Sequence, residues 1–141
     1  MEDSILATIK KMLGLDAAYT PFDIDVVTLI NSTIMTLTQL GVGPRDGFEI
    51  AGMEETWDEF LENPVLLNGA KQYIFLKVKI AFDPPASSTV LEAYKQQATE
   101  LEWRLNVQAE SAEYFDFIDQ DDKEVARAAN SSDGESSIIR A

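Results

Sequence analysis

The chain has 141 residues, 45% of them hydrophobic, which suits a single domain with room for a real apolar core. It contains no cysteine and no histidine. That excludes disulfides, thiolate metal sites, the usual general base at neutral pH and the commonest zinc ligand. With 25 acids against 11 bases the formal net charge is −14. Such a surface repels nucleic acid phosphates and anionic lipid, and it suits a basic partner or a place near DNA without adhesion.

No apolar run approaches the roughly 20 residues that span a bilayer, and Met1-Glu2-Asp3 puts acids where a secretory signal puts bases. A soluble, intracellular protein made in the cytosol is therefore the expectation. In chain order, Ile5, Leu6, Ile9, Met12 and Leu13 lie on one helical face, predicting a first helix from Asp3 or Ser4. Gly14 offers its left-handed cap, with Leu15 as the hydrophobic follower.

Thr20-Pro21 is expected to open the second helix, the hydroxyl capping and proline in the first turn. Its buried stripe is Val26, Val27, Ile30, Ile34 and Leu37. Thr28, Ser32, Thr33, Thr36 and Thr38 are indifferent helix formers, so tertiary packing must hold this element. A polar face built from hydroxyls can pack on another subunit at little desolvation cost. The turn-rich Gly41–Gly47 loop follows, with a brief extended segment at Phe48-Glu49-Ile50. Thr56-Trp57-Asp58-Glu59 matches a capping box and predicts a short helix carrying Trp57, Phe60 and Leu61, ending at Asn63-Pro64.

From Val65 to Phe82 the pattern is helical and apolar over a wide arc of Leu66, Leu67, Ala70, Tyr73, Ile74, Ile80 and Ala81, the mark of a central helix. Lys77 falls inside that arc, and Phe75 faces the side of Asn68, Gln72 and Lys79. Phe82-Asp83-Pro84-Pro85 breaks the chain. Ser87-Ser88-Thr89 and Glu92 then cap a last helix with the stripe Val90, Leu91, Tyr94, Ala98, Leu101 and Leu105. Trp103 lies nearly opposite that stripe, and Glu100 and Arg104 stand in the favourable order for an ion pair. The fold class is thus all-α, four to five helices with a long central helical hairpin.

Domain organisation follows the same composition: residues 1–109 form the helical domain and residues 110–141 an acidic, flexible tail. The tail holds nine of the 25 acids and three of the 11 bases, a net charge of −6. Tyr114, Phe115, Phe117 and Ile118 form an aromatic island within it, a candidate docking segment.

Several motifs reduce to bland readings. The Gly41–Gly47 loop lacks a Gly-Lys-Ser/Thr ending and follows a helix instead of a strand, so it is a turn and not a phosphate cradle. Asp58 and Glu62 share a face of the short helix as drawn, but no basic tuner accompanies Glu54, Glu55, Asp58, Glu59 and Glu62 as a carboxylate catalyst. Asp116, Asp119, Asp121, Asp122 and Glu124 lack the central glycine and spacing of a calcium loop. No catalytic residue, metal or cofactor is expected.

Taken as an ordered set, six segments carry a resemblance. They are Tyr19-Thr20-Pro21-Phe22-Asp23, Leu40-Gly41-Val42-Gly43-Pro44, Thr56-Trp57-Asp58-Glu59-Phe60-Leu61, Lys71-Gln72-Tyr73-Ile74-Phe75-Leu76-Lys77-Val78, Phe82-Asp83-Pro84-Pro85 and Glu100-Leu101-Glu102-Trp103-Arg104-Leu105-Asn106. Over residues 1–109 the chain resembles the head–tail connector proteins of long-tailed bacteriophages, also called adaptor or head-completion proteins. The resemblance implies a structural virion protein, made in the host cytoplasm, that forms a ring of roughly a dozen copies by head-to-tail contacts. That ring would sit under the portal protein, offer a platform to the next connector, stopper or tail protein, and help retain packaged DNA that passes through without specific binding. No membrane is involved.

For the subunit or portal contact the candidates are Phe75, Phe82 and Trp103, with Arg104 and Glu100 orienting the last helix. The competing reading is an acidic DNA mimic that blocks a host nucleic-acid-binding enzyme. Against it, six of the net negative charges fall in the tail. A carboxylate hydrolase using Asp58 or Glu62 is the third class.

Overall fold

Ser4 sets the start of the first helix: its backbone is extended and its hydroxyl accepts from the Ala7 N–H. In the computed structural model, which describes residues 3–111 and Glu124, the elements are α1 (Ile5–Met12), α2 (Asp23–Gln39), α3 (Trp57–Phe60), α4 (Pro64–Phe82) and α5 (residues 88–111). No strand occurs among the described residues. The chain divides into two units, Met1–Ala109 and Glu110–Ala141, and the first contains everything described below.

Local chemistry sets most of the ends. At the C-terminus of α1, Gly14 has φ +82°, and the N–H groups of Gly14 and Leu15 donate back to the Lys11 and Lys10 carbonyls. The same 6→1 and 5→2 pair closes α2, where Gly41 has φ +88° and Gly41 and Val42 donate to Thr38 and Leu37. Both followers, Leu15 and Val42, pack into or against the core. Asn63 caps α4 by accepting from Val65 and Leu66, with Pro64 in the first turn, where its missing N–H costs nothing.

Three ends differ from the expectation. The second helix starts at Asp23, not Thr20-Pro21: Phe22 is the boundary residue, without a side-chain cap. Residues 20–23 instead form a turn closed by the Asp23 N–H on the Thr20 carbonyl. Asp23 and Asp25 then complement the helix dipole in the first turn. At α5 the cap is Ser87, whose hydroxyl accepts from Val90, so Thr89 lies within the helix and Glu92 faces Lys95 at 3.7 Å. And α3 stops at Phe60, with Leu61 extended, so Glu62 lies beyond the helix and shares no helical face with Asp58.

The core is one cluster, with α2 packed along α4 and α1 against both. α2 buries Val26, Ile30, Ile34 and Leu37 of the stripe its periodicity predicts, with Val27 only partly buried, and it also buries Thr33, one of the hydroxyl residues, whose Oγ1 donates to the Leu29 carbonyl. In α4 the buried arc is wider than expected: Leu76 and Val78 are enclosed, whereas Lys77 and Ala81 are exposed. In α5, Ala98, Leu105 and Ala109 are buried and Leu91, Tyr94 and Leu101 half-buried, but Val90 is exposed. α4 and α5 approach closely at Gly69, where an added Cβ would lie 2.9 Å from Leu105 Cδ2.

Two polar devices hold the loops. Asn31 on α2 donates to the Ile50 carbonyl at 2.9 Å and accepts from its N–H at 2.7 Å. The predicted extended segment Phe48-Glu49-Ile50 therefore forms no strand; an amide side chain supplies the pairing that a neighbouring strand would. Entry and α3 are joined by an isolated antiparallel bridge, Ser4 with Thr56, flanked by Ile5 to Glu55 and Trp57 to Asp3 backbone bonds. Trp57 is buried, donates from Nε1 to Thr8 Oγ1 at 3.0 Å, and carries the Lys71 ammonium 5.2 Å over its ring.

Candidate functional site

The bend at Phe82-Asp83-Pro84-Pro85 turns α5 back along α4, and two contacts fix how they lie. One is the Gly69–Leu105 approach. The other is Tyr73, a fully buried residue of α4 whose hydroxyl donates to Glu102 Oε2 at 3.0 Å. Asn106 adds a bond to the Leu40 carbonyl at the end of α2. With Glu102, Leu105 and Asn106 turned inward, helical phase turns Trp103 outward, and it is 67% exposed.

Burial and the neighbouring Glu102 carboxylate raise the Tyr73 phenol well above its ordinary value of 10.0. A pKa raised on folding contributes stability that is intact below the unfolded value and is lost as pH rises through the folded one. The expected result is a decline in stability from about pH 10 upward. Ultraviolet titration should show Tyr73 ionising only as the protein unfolds, a late step that Tyr73→Phe should abolish.

Beside Trp103, Arg104 Nη2 and Glu100 Oε1 lie 2.6 Å apart, both well exposed. Such a pair contributes only a few tenths of a kcal/mol, so it orients side chains more than it holds the helix. Val65, Gly69, Trp103, Arg104 and Val107 line a groove of about 430 Å³ between α4 and α5. Val65 is 68% exposed, so the rim is apolar and open.

The sequence-predicted candidates do not form one patch. Glu100, Trp103 and Arg104 stand together on α5. Phe82 is half-buried thirteen residues along α4 from Gly69, about 20 Å at 1.5 Å per residue. Its ring meets Phe22 edge-on at 5.3 Å, and Phe22 meets Tyr19 at 5.8 Å. Phe75 is half-buried and packed against the core, so it is not the exposed aromatic on a polar face that its phase suggests. Tyr114, Phe115, Phe117 and Ile118 lie outside the described residues.

Sequence reasoning missed two groups. Tyr19 and Phe22 are exposed aromatics in a turn, with no periodicity to announce them. Lys10 lies outside the predicted apolar stripe of α1, yet it is fully buried, while Met12 of that stripe is 42% exposed. The Lys10 ammonium donates to the Ala17 and Tyr19 carbonyls at 3.0 and 2.6 Å and pairs with Asp23 Oδ1 at 2.7 Å. It thereby fixes the loop that presents Tyr19 and Phe22.

Among the described residues no three carboxylates come together as a metal site, and no helix is long and apolar enough to cross a membrane. Glu55 instead serves a turn: its carboxylate accepts from the Ala51 and Gly52 N–H groups, which holds its pKa below the ordinary range. Among the described residues the unit is all-α, and the candidate surfaces on it are the α4/α5 groove and the Tyr19, Phe22 and Phe82 cluster. A family model described as phage connector protein matches residues 5–112. The chain belongs to that family, the structural connectors of the phage head–tail junction. It matches no curated protein and no solved structure.

Proposed function

We propose that this chain is a virion subunit that forms a ring of roughly a dozen copies against the portal. The ring gives the next connector, stopper or tail protein its seat and helps retain the packaged DNA. The observation that carries this reading is the family match over residues 5–112. The surfaces support it: an open α4/α5 groove with Trp103 on its rim, and the Tyr19, Phe22 and Phe82 cluster at the other end of α4. Such a subunit acts by shape and needs no catalytic group. No finding favours the DNA-mimic alternative.

The domain division at residue 109 and the acidic tail belong to the same proposal, with Tyr114, Phe115, Phe117 and Ile118 as a docking segment for a neighbouring component. A net charge of −14 per copy opposes ring closure over a Debye length of about 8 Å at physiological salt, so assembly is promoted by salt or by the portal as template. The same charge lets the duplex slide past. Assembly takes place in the host cytoplasm and the product resides in the virion.

Heads lacking this protein test the reading directly. Purified chain added back should restore joining to tails and retention of DNA, and heads that join and retain their genomes without it would refute the proposal. Trp103→Ala should weaken assembly on portal-bearing heads about tenfold or more, as for a truncated interface anchor, while shifting the melting temperature by only a degree or two. Equal losses of both would make Trp103 a folding residue.

A further inference from the structure

From Val26 to Pro44 the sequence has no charged residue, although 26% of the chain is charged. A run of that kind belongs in a core, yet α2 is only half enclosed. Its buried stripe centres on Ile30, Ile34 and Leu37. At 100° per residue, Ile24, Thr28, Ser32, Met35 and Gln39 centre on the diametrically opposite line, and all five are exposed. Ile24 is 82% exposed and Met35 60%. Solubility does not require this face to be uncharged; the rest of the surface is solvated by carboxylates.

We propose that the outer face of α2 is a self-association face, and that it seats in the α4/α5 groove of a second copy of this chain. This rests on the connector reading and specifies which faces its neighbours use. Charge selects the occupant. Two copies that each carry −14 meet with least repulsion through the surfaces poorest in carboxylates. Past its first turn α2 contributes no carboxylate of its own to this face, and where Asp46 and Glu49 of the following loop border Ser32 and Met35, Arg45 stands with them. The groove is a second such surface, because Arg104 is the one charged residue in its lining, and its carboxylate partner Glu100 is already matched to it. A basic partner would instead select the acidic surfaces and gain nothing here. The two faces lie on different helices and differ in shape, a ridge and a groove, so the contact is head-to-tail and propagates.

Residues 24–39 make a ridge about 22 Å long and one helix wide. Such a contact covers less than the roughly 800 Å² per partner typical of a stable pair. One contact is therefore weak, and closure of many in a ring supplies the persistence.

The absence of cysteine makes the test clean. Chains carrying Ile24→Cys or Met35→Cys are mixed with chains carrying Val65→Cys or Val107→Cys, at about 1 mM to populate a weak pair, and oxidised. All four substitutions are at exposed positions. Mixed disulfide dimers should exceed same-variant dimers severalfold in at least one α2–groove combination. Same-variant dimers through Met35 in excess, or no mixed dimers in any combination, would overturn the proposal. In parallel, Met35→Glu should weaken concentration-dependent association in sedimentation at least tenfold with unchanged melting, and unchanged association would also overturn it. Joining of heads to tails is read separately. Joining without the cross-links sinks this face and leaves the connector reading; cross-links without joining do the reverse.

Discussion

Replacing Gly43 with alanine is expected to destabilise the helical unit by about 2–5 kcal/mol, combining left-handed backbone strain of about 1–2 with overpacking of about 1–3. Gly43 has φ +94°, and a Cβ built there lies 2.6 Å from Phe60 Cε1, closer than any carbon contact tolerates. Phe60 cannot simply withdraw. It is 2% exposed, at the end of α3, and its ring is tilted against Phe48 at 5.4 Å. Gly14 separates the two costs, since it shares a positive φ of +82° but has open space where its Cβ would be. Gly14→Ala should therefore show the backbone cost alone. For a unit of this size, thermal melting should drop by roughly 10 °C or more for Gly43→Ala, and by less than about 10 °C for Gly14→Ala. Equal shifts for the two would mean that the Phe60 ring moves aside freely and that the loop is not packed as the structure has it.

The contrast between these glycines also shows what a sequence can and cannot announce. Gly14 and Gly41 follow apolar helical stripes, so their roles as left-handed caps can be read within four residues. Asn63-Pro64 and Thr56 are legible for the same reason: the capping group and the groups it satisfies are close neighbours in the chain. Phase alone puts Trp103 outside the core, where the structure has it. What could not be read depends on distant partners. Nothing local distinguishes Gly43 from Gly47 until Phe60 arrives against it. Asn31 looks like one more polar residue of α2, because the Ile50 backbone it pairs with is nineteen residues away. Phe82 looked like an isolated anchor because Phe22 lies sixty residues earlier. Phe75 misled because a phase calculation assumes one buried side, whereas α4 is covered around most of its girth. The candidate surface was thus legible as single residues but not as patches. The uncharged stretch of α2 was visible as a face of hydroxyls, while the exposure of Ile24 and Met35 needed the fold.

Lys10→Ala should cost about 3 kcal/mol or more, the range for removing one partner of a buried pair. The ammonium has three N–H donors and all three are used, on the Ala17 and Tyr19 carbonyls and on Asp23 Oδ1. Removing it leaves two carbonyls to find water and leaves Asp23 without its cation, beside the cavity vacated by the stem. Lys10→Met keeps the stem and should recover the packing part of the loss but none of the polar part. Asp23→Asn keeps an oxygen acceptor and both carbonyl bonds, so it should cost the least, about 1 kcal/mol. Urea denaturation at constant m-value should rank them in that order. The double variant Lys10→Met with Asp23→Leu distinguishes an ion pair from an anchor. If the pair alone mattered, an apolar replacement of both partners would restore stability. The two orphaned carbonyls predict that it does not. Because those carbonyls belong to the turn that carries Tyr19 and Phe22, the Lys10 variants should also loosen the ring contacts to Phe82. Amide exchange at Tyr19 and Phe22 should then rise more than at the α4 residues Tyr73 and Ile74. Uniform exchange increases across the unit would show that Lys10 supports the fold as a whole and does not govern that surface.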